Sequence, residues 1–225
     1  MLTSPATALC ISGLAAEARI ARAAGFATAV GAGDRDRTAA LVESAIRQAN
    51  CLVSFGVAGG LVPELHAGDV VISTEVVSDA GLWRAEDGFR RRVTEWAGGI
   101  GAIEGPVLGA ARIIARPAEK RRAWEATGAL AADLESDIVA RIAAAAWIRF
   151  VVVRTVADTV YRELPPAALI PLAADGRPQF ARVLASVLRR PRQVAALYGL
   201  ARETRAALAA LVMPARALHA LVATA

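Results

Sequence analysis

The sequence of 225 residues has few of the side chains that bind metals or form disulfides, with two histidines and two cysteines. Cys10 and Cys51 lie within apolar runs, where small buried side chains are expected. His66 and His219 have no companions at ligand spacing, so we expect no structural metal site.

Long apolar runs are also scarce. The uncharged stretch 48–63 is broken by glycines and a proline, and the uncharged residues 1–16 lack the positive charges that open a signal peptide. A membrane-spanning helix needs ~20 predominantly apolar residues. We therefore expect a cytoplasmic protein.

The net charge of +5 is concentrated at the C-terminal end. Residues 1–177 carry 19 basic and 20 acidic side chains, whereas residues 178–225 carry seven basic and one acidic. Nucleic-acid binding would require aromatic residues beside the basic groups, and Tyr198 is nearly alone in this segment. We expect no nucleic-acid partner.

Short apolar segments alternate with helical patterns, which predicts an α/β fold in a single domain. The glycine-rich segment 56–60 is expected to be a loop, and the polar segment 83–100 is expected to be a loop or a meander. The predicted strands are 7–12, 51–55, 69–77, 103–109, 129–133 and 150–156, and the predicted helices are 14–24, 36–49, 118–127 and 135–147.

The C-terminal segment shows two helical patterns, at 180–188 and 194–212, and Pro191 between them should break or kink the helix. We divide the chain into a catalytic core, residues 1–163, and a C-terminal loop with a basic amphipathic extension of the same domain, residues 164–225. A basic amphipathic helix can lie on an anionic membrane surface. The alternative is that it packs on the core or on a partner subunit.

Two acidic residues follow apolar segments. Glu135 follows a short predicted strand, and Asp158 follows the most apolar strand in the chain. Ligands of open α/β sheets bind at the carboxyl ends of strands, so both residues are candidates for a site. Each could instead serve only to cap a helix.

Three segments, in order along the chain, resemble signatures of the nucleoside phosphorylase and nucleosidase superfamily. The chain is most similar in this superfamily to the hopanoid-associated phosphorylases, through the segments 164–170 and 175–178 and the basic tail. The resemblance implies a three-layer phosphorylase-like fold with a mixed, partly barrel-like central sheet flanked by helices, plus a C-terminal helical tail. The three signatures are 54–61 (SFGVAGGL) with 68–71 (GDVV), 133–135 (DLE) and 153–158 (VRTVAD).

The resemblance also implies roles for individual residues. Asp158 would act as the catalytic acid at the purine N7 and contact the exocyclic amine. Glu135 would bind the ribose hydroxyls, with Leu134 beneath the sugar. Glu17 corresponds to the glutamate that activates water in the nucleosidases, although its spacing from the preceding glycine is one residue shorter; the alternative is an exposed side chain. The glycine-rich segment would bind substrate through Gly56, Val57, Ala58, Gly59 and Gly60.

These residue types suit the cleavage of an N-glycosidic bond, in which the base leaves with negative charge and the ribose gains positive charge. An acid beside the base lowers that barrier, and burial could keep Asp158 protonated at neutral pH. Val57 stands where many relatives carry a hydroxyl, which leaves water and phosphate open as nucleophiles. Inorganic phosphate would be a co-substrate if phosphate attacks, with Arg19 or Arg112 beside it, and no cofactor is expected.

The resemblance implies an enzyme that releases adenine from an adenine nucleoside, with adenosylhopane of hopanoid biosynthesis as the expected lipid-linked substrate. One alternative is a methylthioadenosine or adenosylhomocysteine nucleosidase. Another, of a different class, is a non-catalytic nucleoside-binding protein at the membrane periphery. Relatives form dimers or larger rings, so the resemblance also implies a homo-oligomer.

Overall fold

The computed structural model describes residues 8–223, so residue 7 of the predicted strand 7–12 lies outside the described residues. Short 3₁₀ turns lie at Ile46–Gln48, Pro166–Leu169 and Pro191–Gln193. The strands are β1 (Ala8–Ser12), β2 (Ala27–Val30), β3 (Cys51–Gly60), β4 (Val70–Ser78), β5 (Gly81–Trp83), β6 (Ile103–Gly109), β7 (Ala131–Asp133) and β8 (Arg149–Asp158). The helices are α1 (Ala15–Ala23), α2 (Arg35–Ala45), α3 (Asp87–Gly99), α4 (Pro117–Thr127), α5 (Ser136–Ala145), α6 (Phe180–Arg189), α7 (Val194–Ala210) and α8 (Val212–Ala223).

The strands form one mixed sheet that closes partly on itself. Strand β3 pairs in parallel with β8 and antiparallel with β7, and β7 continues through β6 to β4. Because β4 also pairs with β8, five strands form a closed barrel. Strands β1 and β2 extend the sheet from β3, and β5 forms a hairpin with β4. The predicted α/β fold with a partly barrel-like sheet is confirmed.

Helices cover both faces of this sheet, as the alternation of side chains along β3 shows. Leu52 belongs to an apolar cluster that includes Val42 of α2 and Val139 of α5. The next residue, Val53, belongs to a second cluster that includes Phe89 of α3. Successive strand residues point to opposite faces, so one strand contributes to both cores.

The expectation of a loop or meander at 83–100 is wrong, because most of this segment forms α3. The side chain of Glu86 accepts hydrogen bonds from the backbone N–H groups of Gly88 and Phe89 and so caps the helix. Phe89, Val93 and Ala97 recur every four residues and are buried. This narrow apolar stripe was hidden in the sequence by the charged residues around it.

The expectation of a loop at 56–60 is also wrong, because these residues continue β3. Gly56 to Ala58 pair with Arg154 to Val156 of β8, and a bulge follows between Ala58 and Gly59. Gly59 and Gly60 also pair with β7 on the other side. The backbone there closes the barrel, which gives its polar groups partners that a sequence pattern cannot show.

The C-terminal helices differ in how they contact the core. Helix α6 has no buried residue, whereas Leu211 and Leu218 are fully buried between α7, α8 and the rest of the fold. The helical stretch Pro191–Ala223 is long and apolar enough to cross a membrane, with 33% of its most apolar window buried. The expectation that no segment has membrane-spanning composition therefore does not hold for this stretch. Core helices of soluble proteins can have the same length and composition.

Candidate active site

One cavity of about 880 Å³ lies where the ends of β1, β3, β7 and β8 converge. Glu17, Glu135 and Asp158 all line it, although 118 residues separate the first two along the chain. Burial leaves Glu17 2%, Glu135 5% and Asp158 8% exposed. Of the other predicted substrate-binding residues, Leu134, Val57, Ala58 and Gly59 also line the cavity.

Glu17 is held by backbone donors at the start of α1. Its Oε2 accepts hydrogen bonds from the N–H groups of Gly13 (2.9 Å) and Leu14 (2.7 Å), and its Oε1 accepts one from Val57 (2.7 Å). Burial raises the pKa of Glu17, against the lowering effects of Arg154 and of these hydrogen bonds. The Glu17 side chain is therefore buried beside the cavity. The alternative, an exposed side chain on α1, is wrong.

Glycine allows two of the carboxylates to approach the backbone closely. A Cβ at Gly56 would lie 2.5 Å from the Glu17 carboxylate, and a Cβ at Gly13 would lie 2.7 Å from Glu135 Oε1. Both separations are shorter than real side-chain carbons allow. Any larger residue at either position would displace a carboxylate from the cavity.

Glu135 occupies the N-cap position of α5, but its side chain makes no capping hydrogen bond. Asp133 takes that role instead, since its Oδ1 accepts hydrogen bonds from the N–H groups of Glu135 and Ser136, both at 2.7 Å. The carboxylate of Glu135 is thus free to face the cavity. Burial raises its pKa, opposed by Arg154 and reinforced by the nearby Asp133 and Glu17.

Arg154, in the middle of β8, is the buried cation of this group of acids. Its Nε lies 3.0 Å from Asp133 Oδ2, and its Nη2 lies 3.7 Å from Glu135 Oε2. Its Nη2 also donates to the hydroxyls of Ser54 (2.6 Å) and Ser136 (3.1 Å). No role was predicted for Arg154, although an arginine inside the most apolar strand is a visible signal in the sequence.

Asp158, at the end of β8, pairs with a different cation, the fully buried Lys120 of α4. The ammonium group also donates to the carbonyls of Thr159 (2.7 Å) and Arg162 (3.1 Å). Burial raises the pKa of Asp158, and the opposing effect of Lys120 is smaller. The structure thus brings a buried acid with a raised pKa to the cavity.

Lys120 also lines the cavity, and no sequence motif predicted it. The available signal was its rarity, because Lys120 is the one lysine among 26 basic residues. Lysine and arginine differ in shape and hydrogen-bonding geometry, so the one lysine of an arginine-rich chain is a candidate for a position that suits an ammonium.

Three predicted site residues lie elsewhere. Arg19 is exposed on α1 and does not line the cavity, which removes the basis for its predicted phosphate contact. Gly56 and Gly60 lie in β3 and are not among the lining residues. The second phosphate candidate, Arg112, does line the cavity and lies 3.4 Å from Glu119.

Apolar side chains from two segments line the cavity and form what we call the apolar wall. One segment precedes α4, and the other lies between β8 and α6. The apolar residues of the wall include Ile113, Ile114, Leu164, Leu169, Ile170 and Leu172.

Within residues 8–223, no group of three or more His, Cys, Asp or Glu side chains is arranged to hold a metal ion.

Comparison with known proteins agrees with the fold. Residues 30–95 match the family model described as the phosphorylase superfamily. No curated protein sequence matches the chain. This segment contains the first of the three signatures, residues 54–61 with 68–71, and supports the superfamily resemblance there, whereas the signatures at 133–135 and 153–158 lie outside it.

Several solved structures are similar over most of their length. One is the 5′-methylthioadenosine/S-adenosylhomocysteine nucleosidase of Neisseria meningitidis in complex with methylthio-immucillin-A, with a TM-score of 0.69 and 17% identity over 95% of this chain and 99% of that one. The S-adenosylhomocysteine nucleosidase of Streptococcus pyogenes, in complex with 5-methylthiotubericidin, has a TM-score of 0.65 and 15% identity, over 89% of this chain and 98% of that one. The futalosine hydrolase of Helicobacter pylori has a TM-score of 0.63 and 15% identity, over 81% of this chain and 97% of that one.

Proposed function

We propose that the protein is an enzyme that cleaves the N-glycosidic bond of an adenine nucleoside. The observation that carries this proposal is the convergence of Glu17, Glu135 and Asp158 on one cavity. Such cleavage needs an acid at the base, a group that orients the ribose and a group that positions the nucleophile. The fold shared with nucleosidases and a hydrolase supports the same reaction class.

Asp158 is the proposed general acid. As the C–N bond breaks, its electron pair moves onto the purine, and Asp158 donates its proton to N7. The base leaves as a neutral purine and Asp158 becomes a carboxylate. Burial favours the protonated form needed at the start of this step.

Glu135 and Glu17 are the proposed ribose and nucleophile groups. The Glu135 carboxylate accepts hydrogen bonds from the ribose hydroxyls, and Glu17 accepts a proton from the attacking water. We favour water over phosphate because the cavity-lining arginines are engaged with the protein. Arg35 donates to Asp137 (3.0 Å), Arg37 donates to the carbonyl of Val30 (3.3 Å), and Arg112 contacts Glu119.

The substrate that we propose is an adenosine with a large apolar substituent, such as adenosylhopane. The apolar wall supports this choice, because it provides a surface that adenosine alone would leave uncovered. The cavity volume of about 880 Å³ lies near the upper end of ~300–1,000 Å³ for small-molecule sites. The resemblance to hopanoid-associated phosphorylases, which we infer from segments 164–170 and 175–178 and the basic tail, supports the same substrate.

Contact with a membrane is part of this proposal, because a lipid-linked nucleoside is held in a bilayer. Helix α6 exposes Phe180 (76%), Leu184 (59%) and Leu188 (74%). Exposed arginines, among them Arg182, Arg189 and Arg190, flank these side chains. Apolar side chains with a basic border favour an anionic lipid surface.

A soluble thio-nucleoside is the second candidate substrate. It is favoured by the structural likeness to nucleosidases solved with methylthio-immucillin-A and 5-methylthiotubericidin. A short methylthio group would cover only part of the apolar wall. The two candidates therefore differ in the size of the group attached to the ribose.

Adenine release tests these alternatives. The assay compares adenosylhopane in anionic vesicles with soluble methylthioadenosine and adenosylhomocysteine, each with and without phosphate. We expect phosphate-independent release with a higher kcat/KM for adenosylhopane. Comparable efficiency on the thio-nucleosides would contradict the lipid substrate, and release only with phosphate would contradict water as nucleophile. Binding without release would favour a non-catalytic nucleoside-binding protein.

A further inference from the structure

The single lysine of the chain lies beside the proposed general acid. Lys120 is 0% exposed, and its ammonium contacts Asp158 and the carbonyls of Thr159 and Arg162. These acceptors come from the end of β8 and the turn that follows it, whereas Lys120 comes from α4. One ammonium therefore links α4 to the purine end of the proposed site.

The geometry explains why an arginine does not replace this lysine. An ammonium has three donors around one nitrogen, which matches three acceptors that converge on a point. A guanidinium is planar and spreads its donors over a fork, which suits a carboxylate face but not this arrangement. The 25 arginines elsewhere in the chain show that a basic residue is otherwise supplied as arginine.

We propose that Lys120 is a positioning residue for the reaction described above, which holds Asp158 in place and compensates the negative charge that Asp158 acquires when it gives its proton to the leaving purine. This inference rests on the proposed function. Lys120 takes no part in the proton transfer. The proton on N7 comes from Asp158, and the electron pair of the broken C–N bond remains on the base.

Two opposing effects then set the acid strength of Asp158. Burial raises the pKa of Asp158 and so favours the protonated form needed before the reaction, whereas Lys120 lowers this pKa and favours the carboxylate that forms during it. An acid without this cation would hold its proton more tightly. An exposed acid would lose the proton before the substrate bound.

Other charged groups around Asp158 are few and paired with each other. Arg162, in the turn after β8, forms an ion pair with Glu203 of α7. Glu203 raises the pKa of Asp158 and Arg162 lowers it, both less than burial and Lys120 change it. On α4 itself, Glu119 contacts Arg112, and Arg121 is exposed. Lys120 is therefore the main cation acting on this carboxyl group.

The first test replaces Lys120 with the uncharged Met and measures kcat for adenine release against pH. We expect kcat at neutral pH to fall by about tenfold to a hundredfold, within the range of general-acid effects. The alkaline limb of the profile should move to higher pH, because the group that favours the Asp158 carboxylate is lost. Lys120→Arg keeps the charge, so its alkaline limb should stay near that of the wild type.

Arg121→Met is the matched control, since it removes one positive charge from an exposed position on the same helix. We expect it to leave the rate and the profile unchanged. A lower rate in Lys120→Met without movement of the alkaline limb would show a merely structural role and overturn the inference. If the wild type releases no adenine from any adenine nucleoside, the proposed function fails as well.

A second measurement uses the wild-type protein and does not depend on the stability of Lys120→Met. Because the chain has one lysine, ¹⁵N,¹³C-lysine labelling gives one side-chain signal in NMR spectra. We expect this signal to show an inflection at the pH of the alkaline limb, reporting ionisation of Asp158. The inflection should be missing in Asp158→Asn. The same inflection in both proteins would overturn the inference.

Discussion

Two groups of acids at the cavity differ in how many acids share one buried cation. In the group that we assign to the ribose, Glu17, Asp133 and Glu135 lie around one guanidinium, that of Arg154, and Asp133 is its closest ion-pair partner. In the group that we assign to the purine, Asp158 has Lys120 as its own cation. The first group therefore has three acids for one cation, whereas the second has one acid for one cation.

This difference matches the charges that the proposed reaction would create. The ribose would gain positive charge as the C–N bond breaks, and acids beside it that are ionised would stabilise that charge. The purine gains negative charge and needs a proton, which a carboxylic acid releases more readily when a nearby cation stabilises the carboxylate that forms. Acidic and basic side chains thus occur in both groups. They would stabilise positive charge on the ribose where several acids share one cation, and would deliver a proton to the purine where one acid has its own cation.

Replacing Asp158 with Asn removes the acid at the purine end and should have the largest effect. We expect kcat for adenine release to fall by about 10²–10⁴-fold, because Asn has no comparable proton to give. The fold should survive, since the amide is nearly isosteric with the carboxyl group. Adenine release and circular dichroism check this, and a variant rate like that of the wild type would refute the role of general acid.

Changes at the ribose end should separate binding from chemistry. Glu135→Gln weakens charge-assisted hydrogen bonds to the ribose, so we expect KM to rise by about tenfold or more. Glu17→Gln leaves the ribose contacts in place, so we expect mainly kcat to fall. Steady-state kinetics of both variants provide the comparison. Equal changes in KM and kcat for the two would contradict separate roles.

Protein stability should fall as pH rises above the ordinary glutamate value of 4.5. Burial raises the pKa of Glu135, so the folded state binds more protons than the unfolded state above that pH. Each such proton lowers the unfolding free energy by about 1.4 kcal/mol per pH unit until the folded-state pKa is passed. Urea unfolding from pH 5 to pH 8 measures this slope, and Glu135→Gln should reduce it. If the slope in Glu135→Gln equals that of the wild type, the raised pKa of Glu135 is not its cause.

The smallest effect on soluble-substrate turnover is expected at α6. Replacing Phe180, Leu184 and Leu188 with serine should weaken binding to anionic vesicles and leave the melting temperature unchanged, because none of the three is buried. Leu218→Ala is the contrasting variant, with an expected loss of about 2–5 kcal/mol of stability. Vesicle sedimentation and thermal unfolding provide the readouts. Unchanged sedimentation of the triple variant would contradict membrane contact through α6.

The sequence predicted most elements because their patterns are local. The run 150–156 is apolar and β-branched, and it forms the central part of β8. Helix α3 was missed because its three buried residues lie among charged ones. The end of β3 was taken for a loop because glycines there resemble a turn, whereas their neighbours across the barrel are far away in the chain.

The candidate site was predicted only in part, because some of its residues follow local patterns and others do not. Glu135 and Asp158 were found because each follows a strand, and strand ends converge in such folds. Lys120 was missed because it reaches Asp158 from a helix, across 38 residues of chain. No local pattern announces such a contact.

The amino-acid sequence by itself determined the alternation of strands and helices, the acids at the strand ends and the basic, apolar character of the C-terminal helices. These features depend on residues close together in the chain. Only the tertiary structure decided that the sheet closes into a barrel, that α8 buries one face while α6 has no buried residue, and which cation each acid receives. Those outcomes depend on distances between segments far apart in sequence, which are fixed when the layers pack together.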